Sequence, residues 1–134
     1  MPISPDQRNE LIRLGQSARQ GSYARYSDYS VGAALMTESG TIHTGANVEN
    51  ASYPLSICAE RVAVFKAVTA GDRKFVAISV ISENGGSPCG ACRQVLSEFG
   101  LDTWVIMADG EGNVVHETSE QDLLPHAFGP TDLT

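Results

Sequence analysis

Three cysteines occur in the chain, and they fall in two short stretches: "SICAERVAVF", with Cys58, and "SPCGACRQVL", with Cys89 and Cys92. Each stretch reads as the beginning of a helix, so any fold must bring two helix starts to one point if the thiols act together. Cys89 and Cys92, at i and i+3, share a helix face and can hold one ion between them. A C-x-x-C pair with a third cysteine from a separate helix start is a metal-ligand pattern, and zinc is the first candidate for thiolate ligands. Disulfides do not account for the set, because three cysteines cannot all pair within one chain.

At 134 residues the length suits one domain spanning 1–134. A formal net charge of −7 disfavours long contact with a phosphate backbone. No apolar run approaches the length of a membrane span, and "MPISPDQRNE" lacks the basic-then-apolar order of a signal peptide. These features lead us to expect a cytoplasmic protein with reduced thiols and no membrane or nucleic-acid partner.

The patterning predicts alternating elements. Ser4 can cap a first helix, with Pro5 at its first position and Gln7 placed for a capping box, and Leu11, Ile12, Leu14 and Ala18 give it an apolar side. "VGAALMT" and "TIHTGANVEN" read as a hairpin across the turn "ESG". A helix is predicted from about residue 56, with Val62, Phe65 and Val68 on one side and Gly71 as its stop. "FVAISVIS" reads as a buried strand, a helix opens at Ser87-Pro88 and ends near Gly100, and "TWVIMAD" and "NVVHETS" follow as strands. One helical turn is expected before Pro125. A hairpin followed by helix, strand, helix, strand implies an α/β fold, a mixed five-stranded sheet covered by helices. Both cysteine clusters fall at strand-to-helix junctions, where such sheets gather their sites.

Zinc bound by three cysteines has a fourth position to fill. A protein ligand there makes the ion structural, whereas water leaves it open for catalysis. His43, His116 and His126 all lie away from the cysteine motifs in sequence, so the fourth ligand is read as water. Three thiolates weaken a divalent ion as a Lewis acid. Two helix N-termini facing the sulfurs offset part of that charge, and Arg61, three residues after Cys58, is placed to hydrogen-bond the thiolates. Glu60 shares the first helical turn with Cys58, where its carboxylate can reach a metal-bound water and act as general base and then acid.

"CAE" followed by "PCGAC" resembles the zinc-dependent deaminases, whose signature is C/H-x-E and P-C-x-x-C. The segments "YSVGAAL", "GANVENASYPLSICAERVA", "SPCGACRQVLSEFG" and "LLPHAFGPTDL" resemble, in order and over nearly the whole chain, the small homotetrameric three-cysteine cytidine deaminases. The resemblance implies a three-layer α-β-α sandwich and one Zn2+ per subunit, held by Cys58, Cys89 and Cys92. It implies Glu60 as the proton shuttle and Arg61 as the arginine on the zinc thiolates. Asn47 and Glu49 match the pair that binds the ribose hydroxyls, and their spacing sets both on one side of a strand. Tyr29 matches a position that packs on the pyrimidine ring. Phe128 matches an aromatic that reaches the base from a neighbouring subunit, and Ala51 and Tyr53 match a segment lining a neighbour's site. Tyr53 and Tyr26 are expected interface aromatics. Two departures stand out: Arg25 where the family often has proline, and Tyr29 where phenylalanine is usual, which adds a hydroxyl to the pocket wall.

The implied reaction is hydrolytic deamination of cytidine or 2′-deoxycytidine, a step of pyrimidine salvage. Three rivals remain at this level. A deaminase of another nucleoside, such as an aminonucleoside antibiotic, is disfavoured by Asn47 and Glu49, which suit a plain ribose. A polynucleotide deaminase is disfavoured by the acidic charge. A binding or assembly module with structural zinc requires a fourth protein ligand.

Overall fold

The computed structural model describes residues 2–134. Helix α1 (Pro5–Arg19) starts as the sequence predicts: the Ser4 hydroxyl accepts the Gln7 N–H at 3.1 Å and the Gln7 side chain accepts the Ser4 N–H at 2.9 Å. Strands β1 (Gly32–Thr37) and β2 (Ile42–Ala46) form the expected hairpin. Helix α2 (Ala59–Thr69), strand β3 (Phe75–Ile81), helix α3 (Gly90–Ser97), strands β4 (Trp104–Ala108) and β5 (Val114–Ser119) and the single turn α4 (Glu120–Leu123) complete the chain.

The five strands lie in the order β2-β1-β3-β4-β5; β3 and β4 are parallel and the other neighbours antiparallel. Alternation along β1 explains the layering. Ala33 and Leu35 point to one face, where they meet Ala63 and Val64 of α2 and Leu96 of α3, while Ala34 and Met36 point to the other, with Leu11 and Ile12 of α1. All six β1 residues are buried, as a central strand covered on both faces requires. The result is a three-layer α-β-α sandwich on a mixed sheet.

Three local readings are corrected. Helix α2 begins at Ala59 instead of about residue 56, because a 3-10 turn at Tyr53–Leu55 precedes it and Cys58 is extended at the N-cap, with ψ 153°. Likewise α3 begins at Gly90 with Cys89 as its N-cap, so the stretch opened by Ser87-Pro88 is loop. The buried side of α2 is also different: Ala59, Ala63, Val64 and Ala67 face the sheet, while Phe65 is 45% exposed. The cause is close packing at Gly45 of β2, where an added Cβ would come within 2.5 Å of the Ala59 carbonyl oxygen and 2.6 Å of the Ala63 nitrogen. A helix held that near a strand presents alanine at the points of closest approach, here Ala59 and Ala63. No described helix is long and apolar enough to cross a membrane.

Candidate active site

Helices α2 and α3 pack on the same face of the sheet with their N-termini adjacent, and this brings the two cysteine stretches together. Cys58 and Cys89 are the two N-cap residues, and Cys92 lies in the first turn of α3. Neither cap makes a side-chain hydrogen bond to its own helix, so both sulfurs are turned to a common point. The Cys58 and Cys89 sulfurs are 3.7 Å apart and those of Cys89 and Cys92 3.5 Å, and all three lie within 4.8 Å of one another as free cysteines. A set of three reduced sulfurs within one coordination sphere fits a zinc ion. The histidines are elsewhere: His43 pairs with Asp72 at 3.1 Å, His116 lies in β5 opposite Met107, and His126 belongs to the C-terminal segment.

Charge around the sulfurs is arranged to favour thiolate at Cys58. Hydrogen bonds from the Cys92 thiol, the Arg61 guanidinium and the Cys89 thiol hold Cys58 down to about 5, against the effect of burial. The same bond to Cys58, with burial, pushes Cys92 upward. Arg61 Nη2 donates to the Cys58 sulfur at 3.4 Å, a contact that raises the guanidinium further above its ordinary value. The buried Nε of Arg61 has no partner of its own.

Glu60 is 4% exposed. Burial first, and then the charge of the nearby Cys58 sulfur, push its carboxyl up to about 7. A carboxyl group balanced between its two protonation states near neutral pH is suited to accept and return a proton.

Cys58, Glu60, Arg61 and Cys89 border a cavity of about 400 Å³, and Tyr29, Asn47, Glu49 and Tyr53 border the same cavity. Asn47 and Glu49 lie beyond the end of β2, which closes at Ala46, so the expected strand position is corrected to an extended segment joined by isolated bridges at Val48. Alternation persists there: Asn47 and Glu49 are buried toward the cavity and Val48 is exposed. Both polar side chains also brace the loop before β1. The Asn47 side chain donates to the Tyr29 carbonyl at 2.8 Å and accepts the Val31 N–H at 2.9 Å and the Ser22 hydroxyl. Glu49 accepts the N–H groups of Tyr26 and Ser27, each at 3.0 Å, and the Ser27 hydroxyl, which together lower its carboxyl below the usual range.

Tyr29 lines the cavity, but its hydroxyl is engaged by the Asn84 side chain at 2.5 Å. Ala51 and Phe128 are exposed and do not border this cavity, and the Phe128 carbonyl accepts from Gln94 at 2.9 Å. Tyr53 was matched to a segment that lines a neighbour's site, yet it borders this chain's own cavity while remaining 57% exposed. Sequence reasoning did not find Ser82 and Gly86, which only the packing of the β3–α3 loop brings to the cavity, or Asn84 behind them.

An α/β sandwich with a three-sulfur centre and a carboxyl group at the same helix start defines a zinc hydrolase of the deaminase type. Residues 5–108 match the family described as cytidine and deoxycytidylate deaminase zinc-binding region, and the chain belongs to that family. A cytidine deaminase from Sporosarcina psychrophila is 44% identical over 127 residues, covering 93% of each chain. One from Halalkalibacterium halodurans is 45% identical over 129 residues, covering 94% of this chain and 97% of the relative. The crystal structure of cytidine deaminase from Burkholderia pseudomallei superposes with a TM-score of 0.86 at 46% identity, covering 94% of this chain and all (100%) of that one.

Proposed function

We propose that the protein is a zinc-dependent hydrolase, a single deaminase domain over 1–134 that converts cytidine and 2′-deoxycytidine to the corresponding uridine nucleoside and ammonia. The observation that carries this reading is the convergence of Cys58, Cys89, Glu60, Asn47 and Glu49 on one cavity, with membership of the family behind it. Cys58, Cys89 and Cys92 hold the zinc ion, which when bound supplies a Lewis acid that brings the ionisation of water near neutral pH.

Glu60 accepts a proton from the attacking water and delivers it to N3 of the pyrimidine, which leaves C4 electron-poor. The water oxygen bonds to C4 as Glu60 holds the second proton in reach of the amino group. Protonated by Glu60, the amino group departs as ammonia when the C4–N bond breaks, so cytidine and water give uridine and ammonia. Arg61 draws charge from the Cys58 sulfur. Asn47 and Glu49 take the ribose hydroxyls, and their bracing by the loop before β1 fixes them before substrate arrives. The Tyr29 ring packs on the base.

The working form is a homotetramer, in which Ala51 and Phe128 of one protomer complete the pocket of its partner. Exposed Tyr26, Tyr53 and Leu55, within or next in the chain to the cavity lining, supply apolar surface for such contacts. Three free thiols suit a cytoplasmic setting, and the product suits pyrimidine salvage.

Uridine release from cytidine by the zinc-loaded protein tests the reading, with light scattering for the assembly. Absence of turnover at saturating cytidine rules out the substrate. Monomeric, fully active protein rules out the shared pocket.

A further inference from the structure

We propose that the Tyr29 hydroxyl is a positioning group: through Asn84 it ties one wall of the nucleoside pocket to the loop between β3 and α3, and thereby fixes the width of the pocket. The inference rests on the deaminase reading above.

The loop, residues 82–89, brings Ser82, Gly86, Ser87 and Cys89 to the cavity. Its ends are held from their own side of the molecule. At the start, the Ser82 N–H donates to the Ala108 carbonyl at 3.2 Å. At the end, Arg93 donates to the Pro88 carbonyl and to the Ser87 hydroxyl, each at 2.8 Å. The middle contains Gly85, at φ +70°, and Gly86, so the backbone there has few intrinsic restraints.

On its far side that middle bridges Asp109 through Asn84 and packs at Gly85 against Val115; on the pocket side it is held by a short relay. The Gly86 N–H donates to the Ser82 hydroxyl at 3.0 Å, and that hydroxyl donates to Asn84 Oδ1 at 3.4 Å. The Tyr29 hydroxyl donates to the same oxygen at 2.5 Å. Among the hydrogen bonds of the described residues, this is the one that reaches the loop from the segment before β1.

Tyr29 can act as an anchor because its own backbone is fixed. Its N–H donates to the Ser27 hydroxyl at 3.0 Å and its carbonyl accepts from Asn47 at 2.8 Å. Its ring is a rigid spacer with the bonding atom at the tip. A Cβ on Gly86 would stand 2.8 Å from that oxygen, so the ring tip rests directly against the loop backbone. The hydroxyl is therefore part of the pocket frame, and Asn84, which does not border the cavity, acts on substrate through it. Mutual polarisation along the relay makes the bonds interdependent.

The test uses the zinc-loaded protein and the variants Tyr29→Phe, Asn84→Ala and their double. Each single variant is expected to raise KM for cytidine about threefold to tenfold, the range for one neutral hydrogen bond, with a smaller change in kcat. The double variant is expected to match the singles instead of multiplying them. Amide exchange at residues 83–87 of the substrate-free protein should quicken in all three, with α1 unchanged. KM within twofold of wild type, multiplicative effects, or unchanged exchange at 83–87 each overturns the proposal. If the wild type releases no uridine, the deaminase reading falls, and the exchange result alone then decides whether the hydroxyl holds the loop.

Discussion

The Arg61 guanidinium lies 3.4 Å from the Cys58 sulfur, one helical turn along α2, so the proposed zinc ligand and the cation that hydrogen-bonds it belong to one rigid element. Because the contact is a charge-assisted hydrogen bond, its removal leaves a more negative sulfur. Arg61→Gln is expected to lower turnover or zinc affinity about tenfold to a hundredfold, the usual range for a ligand's hydrogen-bond partner. Competition with a chromogenic chelator measures the first quantity, and cytidine kinetics the second. Wild-type values for both would contradict the role.

Glu60→Gln keeps size and burial but removes the proposed proton acceptor. The expected loss in kcat is about 10²–10⁴-fold or more, with zinc content unchanged. Metal analysis beside the rate assay is essential, since loss of zinc would give the same kinetic result for a different reason.

Asn47 and Glu49 should separate stability from binding. Asn47 makes three hydrogen bonds to the segment before β1, so Asn47→Ala is expected to cost about 1–3 kcal/mol in urea unfolding as well as raising KM. Glu49→Gln retains acceptor oxygen for that loop and is expected to act mainly on KM. Equal unfolding midpoints for wild type and Asn47→Ala would refute the bracing role.

Gly45→Ala tests how α2 is seated. The added Cβ meets backbone atoms of α2 at 2.5 and 2.6 Å, which neither side can relieve by a rotamer change. Overpacking of this kind costs about 1–3 kcal/mol. Because α2 carries Cys58 and Glu60, the melting temperature and zinc retention should fall together.

Glu120 contributes a pH dependence of stability that can be tested away from the cysteine cluster. It is fully buried at the start of α4, with both carboxyl oxygens lacking hydrogen-bond partners. Burial pushes it up from 4.5 to about 7, opposed by the charge of Arg93. Between those two values the folded chain holds a proton that the unfolded chain has released, so this contribution to stability is full at low pH and declines as pH rises through about 7. Glu120→Gln should remove that decline. Parallel stability–pH curves for the two proteins between pH 5 and 8, about the range of the shift, would contradict it.

Much of this protein is determined locally. The capping box at Ser4 and Gln7, the apolar run of β3 and the stop at Gly71 are decided by hydrogen-bonding capacity, β-branching and backbone freedom of neighbouring residues, and these are visible in sequence. The nearness of Cys89 to Cys92, and of Cys58 to Glu60, likewise follows from each pair sharing one helix start, an N-cap and its first turn. Tertiary structure alone decided the rest. It set Phe65 outward, because Gly45 draws α2 so close to the sheet that alanines take the nearest contacts and Val64 is the largest apolar side chain the helix buries. It chose the partners of Asn47, Glu49 and Tyr29, because hydrogen bonds between segments far apart in the chain leave no periodic trace. It also brought Cys58 to within 3.7 Å of Cys89, since the distance between two helix ends depends on how both pack against the same strands.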